Sequence, residues 1–363
     1  MGAGLQASVH ARESRFARPP RAPPRPAYPP PMPPPSTLVT ALLAAAVALA
    51  LLAAVGLAAL TARLGHRVES GTAPTGAFVE VGGHRLHYLD AGPRDAPAIV
   101  LLHGASAHLR DLEATLGPPL AARFRTLAFD RPGSGWSEPV VDAAGDPARQ
   151  AALVADALAA LGVERALWVG HSWGGSVALA ALVERPDAVA GAALLAAPTA
   201  AVDGPSLPWP IRLAALPMIG EAFGRTLVAP LGLRALPDLL RDSFRPEPPP
   251  EPIDGYSATI DAPLSIVPDR FVATARDLVG LSPALERLSG RLDAIEGTRR
   301  PPLLLVYGER DPVMAPERHA HPLAERFPGT ELVVLPGAGH LIHHTRTDEV
   351  VDAIARFAER VWR

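Results

Sequence analysis

The chain has 363 residues, 48% of them hydrophobic, a formal net charge of -3 and no cysteine. That length and apolar content support one large domain with extensions and exclude disorder as the overall character. A near-neutral balance, with no basic patch interleaved with aromatics, argues against a nucleic-acid partner. The missing cysteines exclude disulfides, thiolate metal sites and a cysteine nucleophile.

Residues 1–36 are rich in Pro and Arg, from Arg12 through the clusters Pro29-Pro30-Pro31 and Pro33-Pro34-Pro35. This composition buries no core and predicts a disordered tail; a polyproline ligand and a translation start at Met32 are the alternatives. Leu38 to Leu60 is an uncharged run of Leu, Ala and Val. It matches the roughly 20 residues a helix needs to cross a bilayer, so residues 37–62 are expected to form a transmembrane anchor. A signal peptide cleaved after Ala62 and a buried helix are the competing readings, the second opposed by the lack of a polar face. Arg12, Arg15, Arg18, Arg21 and Arg25 precede the span, against Arg63 and Arg67 after it, which puts the N-terminus in the cytoplasm and the globular part outside.

From Ala77 the pattern alternates. Ala77-Val81 and Arg85-Asp90 read as a hairpin around Gly82-Gly83. Ile99-Leu102, Thr126-Phe129, Ala166-Val169, Ala192-Leu195, Leu303-Tyr307 and Glu331-Leu335 then read as short buried strands, mostly separated by helical stretches. Strands spaced by helices imply a mostly parallel sheet covered on both faces, its functional loops at the strands' carboxyl ends. Residues 198–300 interrupt the rhythm with apolar helical segments around Leu213-Val228, Leu231-Leu240 and Phe271-Leu281, broken by prolines. They predict a helical cap inserted after the sixth strand, between core segments 77–197 and 301–363.

Gly170-His171-Ser172-Trp173-Gly174 stands between a buried-strand run and an Ala-rich helical stretch that stops at Arg185-Pro186. Gly-x-Ser-x-Gly in that setting marks a turn so tight that its flanking positions, Gly170 and Gly174, must be glycine, and it pushes the serine hydroxyl into a cleft. Four more motifs follow strands: His103-Gly104, Asp130-Arg131-Pro132-Gly133, Gly308-Glu309-Arg310-Asp311 and Gly337-Ala338-Gly339-His340.

With these five features the chain resembles the α/β-hydrolase family over residues 77 to 360, in its serine esterase and lipase-like branch and a membrane-anchored bacterial form. The resemblance implies an eight-stranded, mostly parallel sheet flanked by helices. It also implies a catalytic triad in the order Ser172, Asp311, His340, and an oxyanion hole from the backbone N–H groups of Ala105 and Trp173. His340 would take the proton of an otherwise weak nucleophile, and Asp311 would hold its tautomer and stabilise the imidazolium. Glu309 is the competing acid, and Asp311 could instead cap the helix near Pro312. His343 and His344 compete with His340 and are expected at the surface or lining the cleft. His103 is expected to support its loop by a hydrogen bond, and Asp130 to be a strand-end turn residue. Ser134 stands where the family frequently carries histidine.

The chemistry so implied is hydrolysis of carboxylic esters of small to medium apolar acyl groups through an acyl-enzyme, without cofactor or metal. Haloalkane dehalogenases and epoxide hydrolases of this fold need a carboxylate at the position of Ser172. C-C bond hydrolases, thioesterases and perhydrolases share the serine triad and remain alternatives, as does a non-catalytic membrane-tethered binding protein. Leu213, Leu216, Met218, Ile219, Phe223 and Leu227 are candidates to line an acyl pocket or to pack the cap.

Overall fold

The computed structural model of the chain describes residues 37–201, 207–292 and 300–363; the tail expected over residues 1–36 lies outside them. Met1–Leu49 and Ala50–Arg363 are separate compact units, so the boundary falls inside the first helix. That helix, α1 (Thr37–Gly71), runs past the expected end at residue 62. It is long and apolar enough to cross a membrane, and none of its most apolar window is buried. Within the second unit its residues are exposed until Ala58; then Ala58, Thr61, Gly65 and Val68 form a stripe of reduced exposure. This spacing of three and four is one helix face finding a partner, which carries the helix on beyond its apolar run.

Strands β1 (Ala77–Val81) and β2 (His84–Ala91) form the expected hairpin. Its two-residue turn puts Gly82 at φ +57° and Gly83 at φ +80°, the left-handed conformations such a turn needs. The other strands are β3 (Ala98–Leu102), β4 (Arg125–Phe129), β5 (Ala166–His171), β6 (Val189–Leu195), β7 (Leu303–Gly308) and β8 (Glu331–Leu335). They complete one eight-stranded sheet in the order β1-β2-β4-β3-β5-β6-β7-β8. Only the β1–β2 and β2–β4 pairings are antiparallel.

The helices of the core before the cap are α2 (Leu109–Glu113), α3 (Gly117–Ala121), α4 (Pro147–Ala160) and α5 (Trp173–Glu184). Between β6 and β7 come α6 (Trp209–Ala214), α7 (Ile219–Phe223), α8 (Ala229–Ser243), α9 (Ile253–Thr259) and α10 (Pro268–Leu292), with no strand among the described residues there. The chain closes with α11 (Pro316–His319), α12 (His321–Arg326), α13 (Ile342–Thr345) and α14 (Thr347–Val361). Residues of β3 alternate between the two sheet faces. Val100 and Leu102 pack with α4 and α5, while Ile99 and Leu101 pack with α2 and α14. Burial on both faces is why these strands read as unbroken apolar runs.

Cap prolines act unevenly. Pro217 and Met218, the latter at φ +61°, break the expected Leu213-Val228 helix between α6 and α7. Pro237 and Pro283, by contrast, lie inside α8 and α10 without ending them, and the short α9 was not foreseen. The cap has its own apolar centre around Phe223, Leu236, Ile260 and Val272.

Candidate active site

Ser172 occupies the turn between β5 and α5, with φ +48° in the left-handed region. The glycines permit this. A Cβ at Gly170 would lie 2.2 Å from the carbonyl oxygen of Gly174, one at Gly174 the same 2.2 Å from that of Leu102, and one at Gly175 2.4 Å from Ala197 Cβ. The Ser172 N–H is fixed by donating to Leu195 O at 2.8 Å. Trp173 is the first residue of α5, so its N–H has no partner within the helix.

The loop after β3 lies against this turn: a Cβ on Gly104 would come within 3.3 Å of Ser172 Cβ. Among the described residues the N–H of Ala105 in this loop makes no backbone hydrogen bond. His103 is fully buried; its Nε2 accepts the Arg131 N–H at 3.0 Å, which leaves Nδ1 to donate to Gly104 O at 2.7 Å. Burial and then the Arg131 charge push its pKa down to about 3. It is a neutral strut. Asp130 likewise ties its loop together, accepting from the N–H groups of Leu109 and Trp136 at 2.7 and 2.8 Å and facing His87 Nδ1 at 2.7 Å. Ser134 is buried in that loop.

Asp311, in the loop after β7, splits its oxygens between two tasks. Oδ1 accepts from the N–H groups of Val313 and Met314 at 2.8 and 2.9 Å, while Oδ2 faces His340 Nδ1 at 2.8 Å. No helix begins at Pro312, since the next one starts at Pro316, so Asp311 ties a turn rather than capping a helix while it also holds His340. Burial alone would raise the carboxyl pKa, but the hydrogen bond and charge of His340 and the two backbone N–H groups outweigh it and hold the pKa below the ordinary range. Glu309 is exposed and accepts instead from Gly337 N at 2.8 Å. Gly308 lets the two loops meet, since a Cβ there would lie 2.2 Å from Gly339 O.

Ser172 and His340 line one cavity of about 510 Å³, together with Gly104 and Ala105. The Ser172 hydroxyl and the His340 ring make no hydrogen bond to each other; such contacts are often long without substrate and tighten in the complex. The elbow's His171 reaches His340, its Nε2 3.1 Å from His340 O and its ring centroid 4.9 Å from that of His340.

One expectation needs correction. His343 is not a surface residue: it is fully buried, and with His344 it flanks Asp111, with Nε2 distances of 3.1 and 2.8 Å to the two carboxylate oxygens. The three donor atoms lie within 4.8 Å of one another, as a metal set would, but these hydrogen bonds already satisfy them. Burial, then the charge of His344, pushes the His343 pKa down to about 4. A helix of one turn with an apolar face reading Ile342-His343 gave no sign that Asp111, far away in sequence, would draw both rings inward.

Of the two readings open for the apolar cap residues, lining the pocket is not the one realised. Leu213, Leu216, Met218, Ile219, Phe223 and Leu227 are all absent from the cavity wall, which the cap supplies instead through Leu236, Leu240, Ile260, Ile266, Phe271 and Leu278. Phe223, Leu213 and Leu227 pack within the cap, whereas Met218 and Ile219 are exposed.

A doubly covered parallel sheet with an elbow after β5 and acid and histidine loops after β7 and β8 defines a hydrolase class. Residues 97–347 match the family described as alpha/beta hydrolase fold, and the chain belongs to it. Haloalkane dehalogenase 2 of Mycobacterium tuberculosis is 31% identical over 281 residues, covering 74% of this chain and 90% of that protein. In fold the chain is similar to the enol-lactonase from Burkholderia xenovorans, with a TM-score of 0.60, 22% identity, and coverage of 77% of this chain and 99% of that one. It is also similar to a membrane phospholipase A described as a bacterial virulence factor, with a TM-score of 0.55, 23% identity, and coverage of 90% and 98%. The chain is therefore a hydrolase of this fold.

Proposed function

We propose that the chain is a membrane-anchored serine hydrolase that cleaves carboxylic esters through an acyl-enzyme on Ser172. The observation that carries this reading is the 2.8 Å contact between His340 Nδ1 and Asp311 Oδ2 at the cavity that Ser172 also lines. Asp311 keeps the proton on Nδ1, so Nε2 is the free base. It takes the Ser172 proton as Oγ attacks the ester carbonyl, then returns it to the departing alcohol. Water activated by the same nitrogen hydrolyses the acyl-serine, giving the acid and restoring the hydroxyl. The N–H groups of Ala105 and Trp173 receive the oxyanion, each donor being worth about 3–4 kcal/mol.

The dehalogenase relative does not carry its reaction over. Displacing a halide through an alkyl-ester intermediate requires a carboxylate nucleophile, and the elbow here carries Ser172. No cofactor enters the proposed cycle. The anchor reading places the N-terminus in the cytoplasm and residues 77–363 outside; a C-terminal reporter active only in the cytoplasm would reverse that orientation.

A fluorophosphonate probe is expected to label the full chain, with labelling abolished by Ser172→Ala. Failure of the well-folded protein to label would favour a binding role. A series of p-nitrophenyl esters assayed beside a vinylogous diketone acid separates ester from C-C cleavage, and turnover of the diketone alone would move the assignment.

A further inference from the structure

We propose that the cap segment spanning residues 209–219 lies in the lipid-water interface of the membrane that α1 spans, and that the Ser172 cavity draws its ester substrates from that bilayer. The inference rests on the reading of α1 as a span and, for its second clause, on Ser172 as nucleophile.

The docked stripe of α1 fixes the depth. Leu51, Leu52 and Val55 are 62%, 70% and 67% exposed, a state that suits lipid, whereas Thr61 is 1% exposed and donates to Thr226 O at 2.8 Å in the cap. One turn on, Gly65 lies against Val267 and Pro268, and a further turn on Glu69 pairs with Arg270 at 2.6 Å. At 1.5 Å per residue, the charged pair sits about 12 Å further along the helix than Thr61. Apolar, unpartnered helix thus gives way to protein at Thr61, and the cap residues beside it stand at the level where hydrocarbon ends.

The neighbouring segment has the surface such a level demands. Trp209, Met218 and Ile219 are 64%, 82% and 55% exposed. From Leu207 to Gly220 there is no acidic residue, and the single charge is the exposed Arg212. Aromatic, aliphatic and arginine side chains together suit the interface, where the rings sit at headgroup level and arginine reaches the phosphates. The patch is continuous with the α1 contact: Trp209 packs on Phe223 at 5.9 Å between ring centroids, and Phe223 leads directly into the Gly224–Val228 turn that carries Thr226. The same segment forms cavity wall through Pro210 and Ile211, with Pro208 just before it. A short stretch of chain therefore presents apolar side chains outward and borders the space above Ser172.

Because the chain has no cysteine, a single introduced thiol is unique. Full-length Met218→Cys carrying an environment-sensitive fluorophore would be reconstituted into dioleoyl phosphatidylcholine vesicles, beside Glu164→Cys, which precedes β5 at the sheet end opposite Ser172. A blue-shifted Met218 probe quenched by acyl-brominated phosphatidylcholine, with an aqueous Glu164 probe, is the expected result. An aqueous Met218 probe overturns the proposal, and so does one that is shielded but not quenched by brominated lipid, because protein would then cover the patch. For the substrate clause, Met218→Asp/Ile219→Asp is expected to lower hydrolysis of a vesicle-embedded long-chain monoacylglycerol at least tenfold while leaving soluble p-nitrophenyl butyrate unchanged. Equal effects on both esters overturn that clause. If wild-type protein cleaves neither, the ester-hydrolase reading and the substrate clause fall together, and the fluorophore still decides the docking.

Discussion

Arg131, on the loop after β4, and Asp277, on the long cap helix α10, form an ion pair of 2.6 Å with side chains 0% and 4% exposed. The guanidinium also donates to the carbonyls of His103 and Gly104 at 3.0 Å and stacks over the Trp173 ring at 4.5 Å. One cation thus ties the cap, the loop carrying Ala105 and the first residue of α5 together. Burial pushes the Asp277 carboxyl pKa up even beside Arg131, so desolvation is a serious cost here. Removing one partner strands the other charge. Asp277→Ala is expected to destabilise the protein by about 3–5 kcal/mol, measured as a lowered urea midpoint in detergent. A midpoint equal to wild type would show that the pair is not buried as described.

How much of this was legible follows from how local each signal is. The elbow, the eight strands and the loops carrying Asp311 and His340 each announce themselves within a few residues, because backbone geometry there demands glycine or an unbroken apolar run. The Arg131–Asp277 pair spans 146 residues, and Asp111 lies 232 residues from His343. Neither has a local pattern, and a buried charge reads in sequence like any surface charge. The choice between pocket wall and cap packing stayed open for a related reason. Helical periodicity says which face of a cap helix is apolar, but not whether that face turns to the core, the cavity or the outside.

Asp311 and Glu309 stand two residues apart, yet only Asp311 reaches His340. Asp311→Asn would keep the turn, because Oδ1 still accepts from Val313 and Met314, but it would favour the wrong imidazole tautomer. The expected loss in kcat on a p-nitrophenyl ester is on the order of 10⁴-fold. Glu309→Gln, which keeps an acceptor for Gly337, should stay within about twofold of wild type on the same substrate. Comparable losses in the two variants would remove Asp311 from its assigned role.

Glycines in the elbow and on the cap helix should respond oppositely to a methyl group. At Gly170 the new Cβ meets backbone at 2.2 Å, which no rotamer change relieves, so Gly170→Ala is expected to abolish well-folded, probe-reactive protein. Gly290, near the end of α10, has nothing within 4 Å of an added Cβ. Gly290→Ala should raise stability by about 0.5–1 kcal/mol through backbone entropy, read from the same denaturation curves.

Acid should destabilise the protein before Asp111 and Asp311 titrate. Burial pushes the pKa of His103 from 6.5 to about 3 and that of His343 to about 4, and it holds His171 well below the ordinary value. All three are depressed in the folded chain. Their contribution to stability is therefore complete above the unfolded value of 6.5 and is lost as pH falls toward the folded values, because the unfolded state takes up protons that the native state refuses. Each histidine adds a slope of about 1.4 kcal/mol per pH unit in that window. The denaturation midpoint should be level above pH 7 and fall steeply between about 6.5 and 4, while Asp111 and Asp311, also depressed, add their losses only at lower pH. His343→Gln removes one titrating ring and should flatten the decline by about one histidine's share relative to its own value at neutral pH. A midpoint unchanged from pH 7 to pH 5 would mean that these rings are protonated in the folded protein, and that the buried cluster behind Ser172 is organised differently.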